Sequence, residues 1–413
     1  MSSPRANWRY QTALWIDKWI GPVLCVLLIP LKWLHPSEPP ENAPGSVRKV
    51  LVVKLWGMGS IVLASPLLRE IQARFPDARV GFLTLKENLP VLRCLPLAAE
   101  PIALDLSRGV PSFLRDTVRV LWRIRRERYD LLLDLEFFTR FSAILSFLAG
   151  ARTSRGFSSK GSLRGRLHDA EIPFNSYHHV VLNFLSLLMC NPVEPFPEVD
   201  LSAPDVLPQL EVGERSLESL MERLRRSPGW RNDRLLVVVN ANAGEMALER
   251  RWPRERVVEF LKGLCGSHDV NVVLTGSPAE REFVEGIVRD FGVEDRVINL
   301  AGEIDIEELV ALFSLATVLV TNDSGPMHIA AASGVSTVAL FGPETPILYG
   351  PLRARPEQHH LVHYHRLACS PCMFVHNNKV LSCWFADALC MRGIAIDDVL
   401  ASVRELSAGG LAQ

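Results

Sequence analysis

The sequence has 413 residues, of which 48% are hydrophobic and 22% are charged, and its formal net charge is -1. That length exceeds one ordinary core, so two α/β domains are expected, and the near-zero net charge gives no reason to expect nucleic acid as a partner. Eight cysteines in 413 residues exclude a small disulfide scaffold and indicate a reducing compartment.

An apolar segment near the N-terminus predicts contact with a membrane surface. Residues 20–34 (IGPVLCVLLIPLKWL) are mostly apolar but contain Pro22, Pro30 and Lys32, and they fall short of the roughly 20 residues that a spanning helix needs. A signal peptide would require a small-residue cleavage site after the segment, and none follows. Tryptophans, which favour the headgroup level, surround the segment at Trp8, Trp15, Trp19 and Trp33. We predict an interfacial anchor or a shallow re-entrant hairpin; the alternative is a helix packed on the following domain.

The next part of the chain predicts a doubly wound α/β domain. A Pro-rich stretch at 36–46 is typical of a linker, so residues 1–45 form the extension and its linker. Continuous apolar runs, typical of buried parallel strands, then alternate with helical stretches as in βαβ units. The strands are predicted at 50–54, 79–83 and 130–135, with a Gly-containing turn at 55–60 and a helix at 61–75. Residues 46–205 are assigned to this N-terminal domain.

A second domain of the same kind is predicted for residues 206–413. The chain becomes Pro-rich and polar over 200–214, where we place the interdomain linker. Strand-like runs then lie at 235–240, 270–275, 317–321 and 337–341. We therefore expect two doubly wound Rossmann-like domains, each of which binds ligands at the carboxyl ends of its strands.

The turn after the predicted strand 317–321 is a candidate anion site. Asn322, Asp323, Ser324 and Gly325 form the turn, and Pro326 occupies a first helical position. The free backbone N–H groups of such a helix start suit a diphosphate, and a glycine allows close approach of the ligand. Because Asp323 would repel phosphate, it is expected to cap the helix or to bind sugar hydroxyls. The alternative is an ordinary capped helix.

Motifs in both predicted domains occur in a characteristic order. The first βα unit contains VVKLWGMGSIVLASPLL, RRWP follows at 250–253, and NDSG at 322–325 precedes His328 and a strand ending in FGP at 341–343. Over about residues 47–400 this order resembles glycosyltransferase family 9, the lipopolysaccharide heptosyltransferases. Members of that family open with V-(K/R)-x-x-x-(M/L)-G-D and carry K-x-W-P and (N/D)-(S/T)-G, then a histidine three residues after the glycine.

The resemblance implies a GT-B fold, in which two Rossmann-like domains face a central cleft. It implies that the N-terminal domain binds the acceptor and the C-terminal domain binds a nucleotide sugar. The reaction would be an inverting transfer of heptose from ADP-heptose to a lipid-linked core oligosaccharide, without an essential metal or other cofactor. The protein would act at the cytoplasmic face of the inner membrane, as a peripheral protein.

The resemblance also assigns donor-site roles to residues of the second domain. Arg250 matches the K-x-W-P lysine that contacts donor phosphate, and Glu280 matches an acid that accepts hydrogen bonds from the ribose. Further residues with implied roles are Ser324 and Gly325 at the phosphate, Asp323 facing the sugar, Ile304 near the adenine, and His328 in the donor site. On the residues alone, Arg250 and Glu280 would be surface charges and His328 a packed core residue.

The catalytic base is the point at which this chain departs from the family. The family's opening M-G-D supplies an aspartate, whereas here the sequence is Met58-Gly59-Ser60, and a serine lacks comparable basicity at neutral pH. Glu136, just past the predicted strand 130–135, is the candidate replacement, and Asp134 is the runner-up. The alternatives are an ordinary loop acid, proton relay through substrate or water, or loss of activity.

Two basic segments lie in the first domain, and the second is a candidate for attracting an anionic lipid-linked acceptor or headgroups. Their arginines and lysine are Arg119, Arg123, Arg125, Arg126 and Arg128 in the first, and Arg152, Arg155, Lys160, Arg164 and Arg166 in the second. The second is Gly/Ser-rich and is predicted to be a flexible loop. Solvated surface charge is the alternative for both.

The cysteines cluster near the C-terminus, at Cys369, Cys372, Cys383 and Cys390. The first pair has zinc-ligand spacing but the second pair does not. Free thiols are therefore expected, and a structural zinc ion held by these four cysteines is the alternative.

Three functions fit these patterns. The favoured one is a heptosyltransferase-like enzyme, the second is a related transferase using another nucleotide sugar, and the third is a non-catalytic sugar-nucleotide-binding protein. Ser60 keeps the third open. Donor binding separates the first two, and turnover separates both from the third.

Overall fold

In a computed structural model of the chain, the described residues are 4–33, 47–107, 109–158, 163–189, 198–244, 248–373, 383–385 and 387–408. The predicted linker at 36–46 and Lys160 lie outside these ranges. The chain divides into two compact units. The first comprises residues 1–57, 64–92 and 97–199, and the second comprises residues 200–413 with the short segments 58–63 and 93–96. The domain boundaries at 45 and 205 stay predictions.

The first unit is built on a six-stranded parallel sheet, as the apolar runs predicted. Its strands are β1 (Lys49–Val53), β2 (Arg79–Leu85), β3 (Glu100–Leu104), β4 (Leu131–Asp134), β5 (Thr153–Ser158) and β6 (Ala170–Pro173). Their order is β3-β2-β1-β4-β5-β6, and Val50 is in register with both Val80 and Leu131. This is the order of a doubly wound dinucleotide-binding sheet.

Helices alternate with these strands. They are α1 (Pro4–Trp33), α2 (Met58–Leu63), α3 (Ser65–Arg74), α4 (Leu89–Arg93), α5 (Val110–Glu127), α6 (Arg140–Ala149) and α7 (Val180–Met189). Helix α2 groups with the second unit. Ile124 of α5 and Leu145 of α6 share one buried cluster with strand residues such as Leu51 and Leu132, so α5 and α6 cover the same face of the sheet.

Helix α1 packs on α6 through one side of its surface. The Asp17 carboxylate accepts hydrogen bonds from the backbone N–H groups of Arg140 and Phe141, at 2.7 and 2.8 Å, where α6 begins. Cys25 is buried against Ala143. A packed helix was the alternative prediction for this segment, and it is confirmed for the side of α1 that faces α6. The re-entrant hairpin is wrong, because one continuous helix runs through the segment; membrane contact stays a prediction.

The outer side of α1 leaves apolar side chains in solvent. Trp15, Trp19, Val23 and Leu27 are between 58% and 63% exposed. None of the described helices is both long and apolar enough to cross a bilayer.

The second unit repeats the architecture of the first. Its strands are β7 (Leu236–Asn240), β8 (Asn271–Leu274), β9 (Ile298–Asn299), β10 (Val318–Asn322), β11 (Ser336–Phe341) and β12 (His360–Tyr364). All pair in parallel in the order β12-β11-β10-β7-β8-β9. From the β9 edge this is again the doubly wound order, so the expected pair of Rossmann-like domains is confirmed.

Helices alternate with the strands of the second unit. They are α8 (Glu214–Arg226), α9 (Arg254–Ser267), α10 (Arg281–Phe291), α11 (Ile306–Leu315), α12 (Gly325–Ala332), α13 (Pro346–Tyr349), α14 (Leu389–Arg392) and α15 (Ile396–Ala408). One core joins Val239 and Val320 of the central strands to Phe260 of α9 and Val403 of α15.

Candidate active site

The strand order of the second unit reverses between β7 and β10. In doubly wound sheets the crevice at this switch point, beyond the carboxyl ends of the strands, is where ligands bind. Residues 241–244 leave β7, and Asp323 and Ser324 leave β10. The predicted donor-site residues therefore lie at the edge of the sheet where the topology favours a ligand.

The start of α12 has the local geometry of an anion site. Ser324 is the extended residue before the helix, with φ -157° and ψ 166°, and its hydroxyl makes no cap hydrogen bond. That hydroxyl instead lies 3.2 Å from the hydroxyl of Thr321. Pro326 occupies the first turn, as the sequence predicted. Because the Ser324 side chain does not cap this helix, the partial positive charge of the helix start remains directed at the crevice.

Asn322 fixes the turn to the neighbouring loops. Its side-chain oxygen accepts a hydrogen bond from the backbone N–H of Trp252 at 3.1 Å, and its amide nitrogen donates to the carbonyl of Asn242 at 3.2 Å. Asn322 is 1% exposed and Trp252 2%. One buried amide thus holds the β7 loop, the RRWP segment and the helix start in a fixed arrangement.

Arg250 and Asp323 meet at this edge. A guanidinium nitrogen of Arg250 lies 3.2 Å from the Asp323 carboxylate, with side-chain exposures of 13% and 7%. A second nitrogen of Arg250 donates to the carbonyl of Ala243 at 2.7 Å. The structure thus brings together two residues to which the sequence assigned separate roles. The negative charge of Asp323 next to the helix start is offset by Arg250, so an entering phosphate would compete with Asp323 for that arginine.

Glu280 closes the β8 side of the site. One carboxylate oxygen accepts hydrogen bonds from the backbone N–H and hydroxyl of Ser277, both at 2.9 Å. The other oxygen accepts from the backbone N–H of Gly244 at 3.3 Å and lies 3.7 Å from Arg251. Glu280 is therefore a buried capping-box residue that also touches the β7 loop, and not an exposed helix charge.

Two further predicted donor-site residues are His328 and Ile304. Ile304 is half-buried in the bend before α11. His328 is buried within α12 and packs on Gly59 of α2, where a Cβ atom would lie 2.7 Å from the His328 ring and 3.0 Å from the Gly325 Cα. The absence of a side chain at Gly59 permits α2 to lie against the start of α12. Ser60, the next residue of α2, is half-buried.

The corresponding switch point of the first unit contains a buried ion pair. A carboxylate oxygen of Glu136 lies 2.7 Å from the Lys54 nitrogen and also accepts hydrogen bonds from the backbone N–H groups of Leu55 and Trp56, at 2.8 and 2.9 Å. Lys54 and Glu136 are 1% and 0% exposed. Glu136 therefore joins the ends of β1 and β4. Lys54 was not among the predicted site residues, although a lysine that ends a run of apolar strand residues was an available signal.

Asp134 lies at the centre of a second buried polar cluster. Its carboxylate accepts a hydrogen bond from Arg164 at 2.8 Å and from the Ser142 hydroxyl at 3.0 Å, and it lies 3.2 Å from His168. Burial raises the pKa of Asp134, but the Arg164 guanidinium and His168 outweigh it and hold the pKa below its ordinary value. These contacts are those of a residue that stabilises the unit.

The second basic segment differs from the predicted flexible loop. Arg164 is 1% exposed and donates to the carbonyl of Thr139 at 2.9 Å as well as to Asp134. Arg155 is half-buried and donates to the carbonyl of Leu188 at 3.0 Å. The prediction is wrong for these two arginines, because charge counting cannot detect their buried partners.

The cysteine cluster lies beside the end of β11. Cys372 donates its backbone N–H to the carbonyl of Pro343 at 2.8 Å, and a Cβ atom at Gly342 would lie 2.9 Å from the Cys390 sulfur. Burial and the nearby Cys390, Cys369 and Cys383 raise the pKa of the Cys372 thiol to about 11. In the part of the chain that the structure describes, no group of three or more His, Cys, Asp or Glu side chains has a geometry that would hold a metal ion.

Known proteins resemble this chain over most of its length. The sequence model described as Glycosyltransferase family 9 (heptosyltransferase) matches residues 117–377, more than half of the chain. Lipopolysaccharide heptosyltransferase 2 of Salmonella typhimurium is 30% identical over 308 residues, which cover 74% of this chain and 85% of that protein. Its Escherichia coli counterpart is 29% identical over 308 residues, with the same shares of the two chains.

A solved structure shows the same fold. The ADP-heptose lipopolysaccharide heptosyltransferase II of E. coli superposes with a TM-score of 0.67 at 23% sequence identity, over 87% of this chain and 98% of that chain. At that identity the likeness concerns the fold, and it agrees with the two six-stranded parallel sheets described above.

Proposed function

Since the chain belongs to glycosyltransferase family 9 and is a glycosyltransferase, we propose that it transfers heptose from ADP-heptose to a lipid-linked core oligosaccharide of lipopolysaccharide. The names of its relatives support the sugar and the pathway, since the most similar ones given above are lipopolysaccharide heptosyltransferases. The donor nucleotide and the stereochemistry are part of the proposal.

In the proposed reaction, an acceptor hydroxyl oxygen attacks the anomeric carbon of the heptose. The bond from that carbon to the diphosphate oxygen breaks, and ADP leaves with the electron pair. The acceptor hydroxyl loses its proton to a base, and the anomeric configuration inverts. The leaving diphosphate gains negative charge, so positively charged groups and helix-start N–H groups placed at it would lower the barrier.

The observation that carries the proposal is the position of Arg250 beside Asp323 at the start of α12, with their side chains 3.2 Å apart. Arg250 offers a planar fork suited to phosphate, and the start of α12 offers backbone N–H groups. Once the diphosphate binds Arg250, Asp323 would be released to accept hydrogen bonds from the sugar hydroxyls. Ser324 and Gly325 would contact the phosphate through their backbone.

The nucleoside end of the donor would lie toward the β8 loop. Glu280 is held there by Ser277 and Gly244, and a carboxylate in that position suits the two hydroxyls of a ribose. Half-buried Ile304 would contact the adenine. Neither residue distinguishes one sugar from another, so the heptose assignment depends on the family and its named members.

Glu136 remains the proposed base. One of its oxygens is held by three donors, whereas the other has no hydrogen-bond partner among the described residues. An acid with one oxygen anchored and one oxygen unpaired is oriented for proton transfer. Two observations argue for a purely structural role instead. The side chain is fully buried, and its anchored oxygen lies 2.7 Å from the Lys54 nitrogen. The alternative is a protein that binds the donor without turnover, which Ser60 in place of the family's aspartate favours.

We also propose that the protein acts peripherally at the cytoplasmic face of the inner membrane, where a lipid-linked acceptor resides. The exposed tryptophans of α1 support this location, because an indole ring suits the headgroup region.

A donor panel tests the proposal. Calorimetry with ADP-heptose, ADP, a UDP-sugar and a GDP-sugar should give measurable binding only for the adenine nucleotides, with ADP-heptose the tightest. Equal binding of the UDP- or GDP-sugar would overturn the donor assignment. Turnover of bound ADP-heptose on a core-oligosaccharide acceptor then separates an enzyme from a binding protein, since the latter would bind the donor without releasing ADP.

A further inference from the structure

We infer that helix α5 is a second contact of this protein with an anionic lipid bilayer, independent of the N-terminal helix α1. The contact is the α5 stripe, defined as Leu114, Val118 and Trp122. This inference extends the proposed action at a membrane surface, and it does not depend on the identity of the donor sugar.

The α5 stripe is a continuous apolar line on the outside of the first unit. Its three side chains are 56%, 67% and 61% exposed. Because they follow one another at intervals of four residues, they lie one above the other along the helix. Single exposed apolar residues are common on protein surfaces, but an aligned set that includes a tryptophan is typical of a binding surface.

Arginines flank one side of the α5 stripe. At 100° per residue, Arg115, Arg119 and Arg126 lie immediately beside the stripe on the helical wheel, and all three are exposed. The Arg126 guanidinium carbon lies 4.5 Å from the centre of the Trp122 ring. An apolar line with a tryptophan, bordered by arginines, is the pattern of a helix that lies in the headgroup region of an anionic bilayer.

The opposite side of α5 anchors the helix in the folded unit. Ile124 is 1% exposed within the core, and the Phe113 ring packs on Phe141 of α6 with ring centres 5.4 Å apart. Arg125, which falls beside Leu114 and Val118 on the same helical wheel, also ties α5 down, because it donates to the carbonyl of Leu148 at 3.1 Å, at the other end of α6. The apolar residues of the stripe are therefore held outward by the packing of the helix, and cannot turn inward without breaking it.

Helix α1 presents a similar surface on the same unit. It packs on α6, the helix that also contacts α5, and its outer side exposes Trp15, Trp19 and Val23. Two helices that border α6 thus both carry exposed apolar residues with tryptophan. An anionic bilayer is a single partner that would bury the exposed apolar residues of both helices.

The arginines beside the α5 stripe favour an anionic bilayer, and not a second copy of the chain, as its binding partner. A two-fold dimer through α5 would bring two arginine-bordered stripes together, and like charges would be desolvated at the interface. Anionic headgroups would instead neutralise these arginines, and each charge near such a surface contributes favourably. Arg123, farther around the helix, already has an acidic neighbour, since it pairs with Glu100. Arg119, beside the stripe, pairs with Asp116 but remains 70% exposed.

The test is co-sedimentation of the full-length protein with vesicles. Vesicles of phosphatidylethanolamine and phosphatidylglycerol are compared with vesicles of phosphatidylcholine alone. Since binding scales with buried apolar area, the double variant Val118→Ser/Trp122→Ser should lower the partition coefficient at least about tenfold. The double variant Arg119→Glu/Arg126→Glu removes two positive charges, each of which contributes about fivefold to the partition coefficient on an anionic surface. The partition coefficient should therefore fall on the anionic vesicles only.

Matched controls are available in the second unit. Arg225→Glu/Arg226→Glu changes the same charge on exposed α8, and Val293→Ser removes a 50% exposed apolar residue. Both should bind vesicles like the wild type. The stripe variants are also made in a Val23→Ser/Leu27→Ser background, so that α1 does not mask their effect. Calorimetric donor affinity should be unchanged in every variant, which separates this inference from the proposed function.

Three results would overturn the inference. In the first, both α5 variants bind anionic vesicles as well as the wild type in both backgrounds. In the second, sedimentation velocity shows a dimer without lipid that the stripe variant dissociates, which would make α5 a subunit interface. If the wild type binds no vesicles, the membrane location fails as well, while the donor panel still tests the transferase activity.

Discussion

A carboxylate oxygen of Glu136 lies 2.7 Å from the side-chain nitrogen of Lys54, and neither side chain is more than 1% exposed. Removing one partner of a buried ion pair leaves a buried charge uncompensated and costs about 3–5 kcal/mol. We therefore expect Lys54→Met to lower the free energy of unfolding of the first unit by that amount, as measured by urea denaturation.

The matched control is Lys49→Met, which removes a pair with Glu127 that is 30% and 46% exposed. That change should cost no more than about 1 kcal/mol. If both lysine variants lose the same small amount, the Lys54–Glu136 pair does not hold the ends of β1 and β4 together.

Asp134 should make the stability of the first unit depend on pH. Its pKa in the folded protein is held below the ordinary value of 3.8, so the folded state favours the charged form. The resulting stabilisation is fully present above pH 3.8 and is lost as the pH falls through the lower pKa of the folded state. We expect Asp134→Asn to be less stable than the wild type at neutral pH, with the difference shrinking in that acid window. If the stability difference between the wild type and Asp134→Asn stays constant with pH, the charge of Asp134 is not the source of the pH dependence.

Asp323 and Glu280 should each contribute to donor binding. Losing a hydrogen bond to a charged group costs roughly 1.5–3 kcal/mol, so Asp323→Ala and Glu280→Ala should weaken nucleotide-sugar affinity by that amount in calorimetry. Arg250→Ala should also weaken ADP binding, because Arg250 is the cation proposed for the phosphate. Arg254→Ala, which breaks an exposed pair with Asp290, is the control.

Since Glu280 also belongs to a capping box, the unfolding transition of Glu280→Ala must be measured beside its affinity. Unchanged affinity in both acidic variants, with folding intact, would exclude the assigned site.

Asp17 should couple α1 to the rest of the first unit. Its carboxylate accepts hydrogen bonds from the backbone N–H groups of Arg140 and Phe141, as a helix cap does, and loss of a cap costs about 0.5–2 kcal/mol. Asp17→Ala should lower thermal stability accordingly. Removal of residues 1–45 should still leave a folded protein that moves to the soluble fraction. A truncated protein that aggregates would mean that the surface of α6 needs α1 as its cover.

The fold was predictable because buried parallel strands are continuous apolar runs. VLVV at 50–53 and LLVVV at 235–239 identify β1 and β7 without any tertiary information. The turn before α12 was predictable because Asp323, Ser324, Gly325 and Pro326 each have a local conformational preference. Such signals lie within a few residues of one another in the sequence.

The ion pairs were not predictable from the same signals. Arg164 and Asp134 are 30 residues apart in the sequence, and they come together after β4 pairs with β5, the strand that precedes Arg164. A basic residue in a Gly/Ser-rich segment has the composition of a loop whether or not its partner is buried. The outward stripe of α5 was missed for a related reason, since the sequence shows the arginines but not which face of the helix packs on α6.

Glu136 is the proposed base, and its variants decide between catalysis and structure. Glu136→Gln keeps the side-chain shape and one oxygen that can accept from Leu55 and Trp56, but it removes the negative charge that pairs with Lys54. If Glu136 takes the acceptor proton, turnover should fall about 10²–10⁴-fold, the usual contribution of a general base. Donor affinity should stay unchanged, because the donor-site residues lie in the second unit.

Ser60→Asp is the complementary variant, since it restores the family's M-G-D at Met58-Gly59. If Glu136 has taken over the proton transfer, Ser60→Asp should add little to the turnover of the wild type and should rescue Glu136→Gln. Full turnover of Glu136→Gln with donor binding intact would exclude Glu136 as the base and leave it as the residue that joins β1 to β4. Activity that appears only with Ser60→Asp, in an otherwise inert protein, would instead support a donor-binding protein that has lost its base, because one carboxylate would then separate binding from transfer.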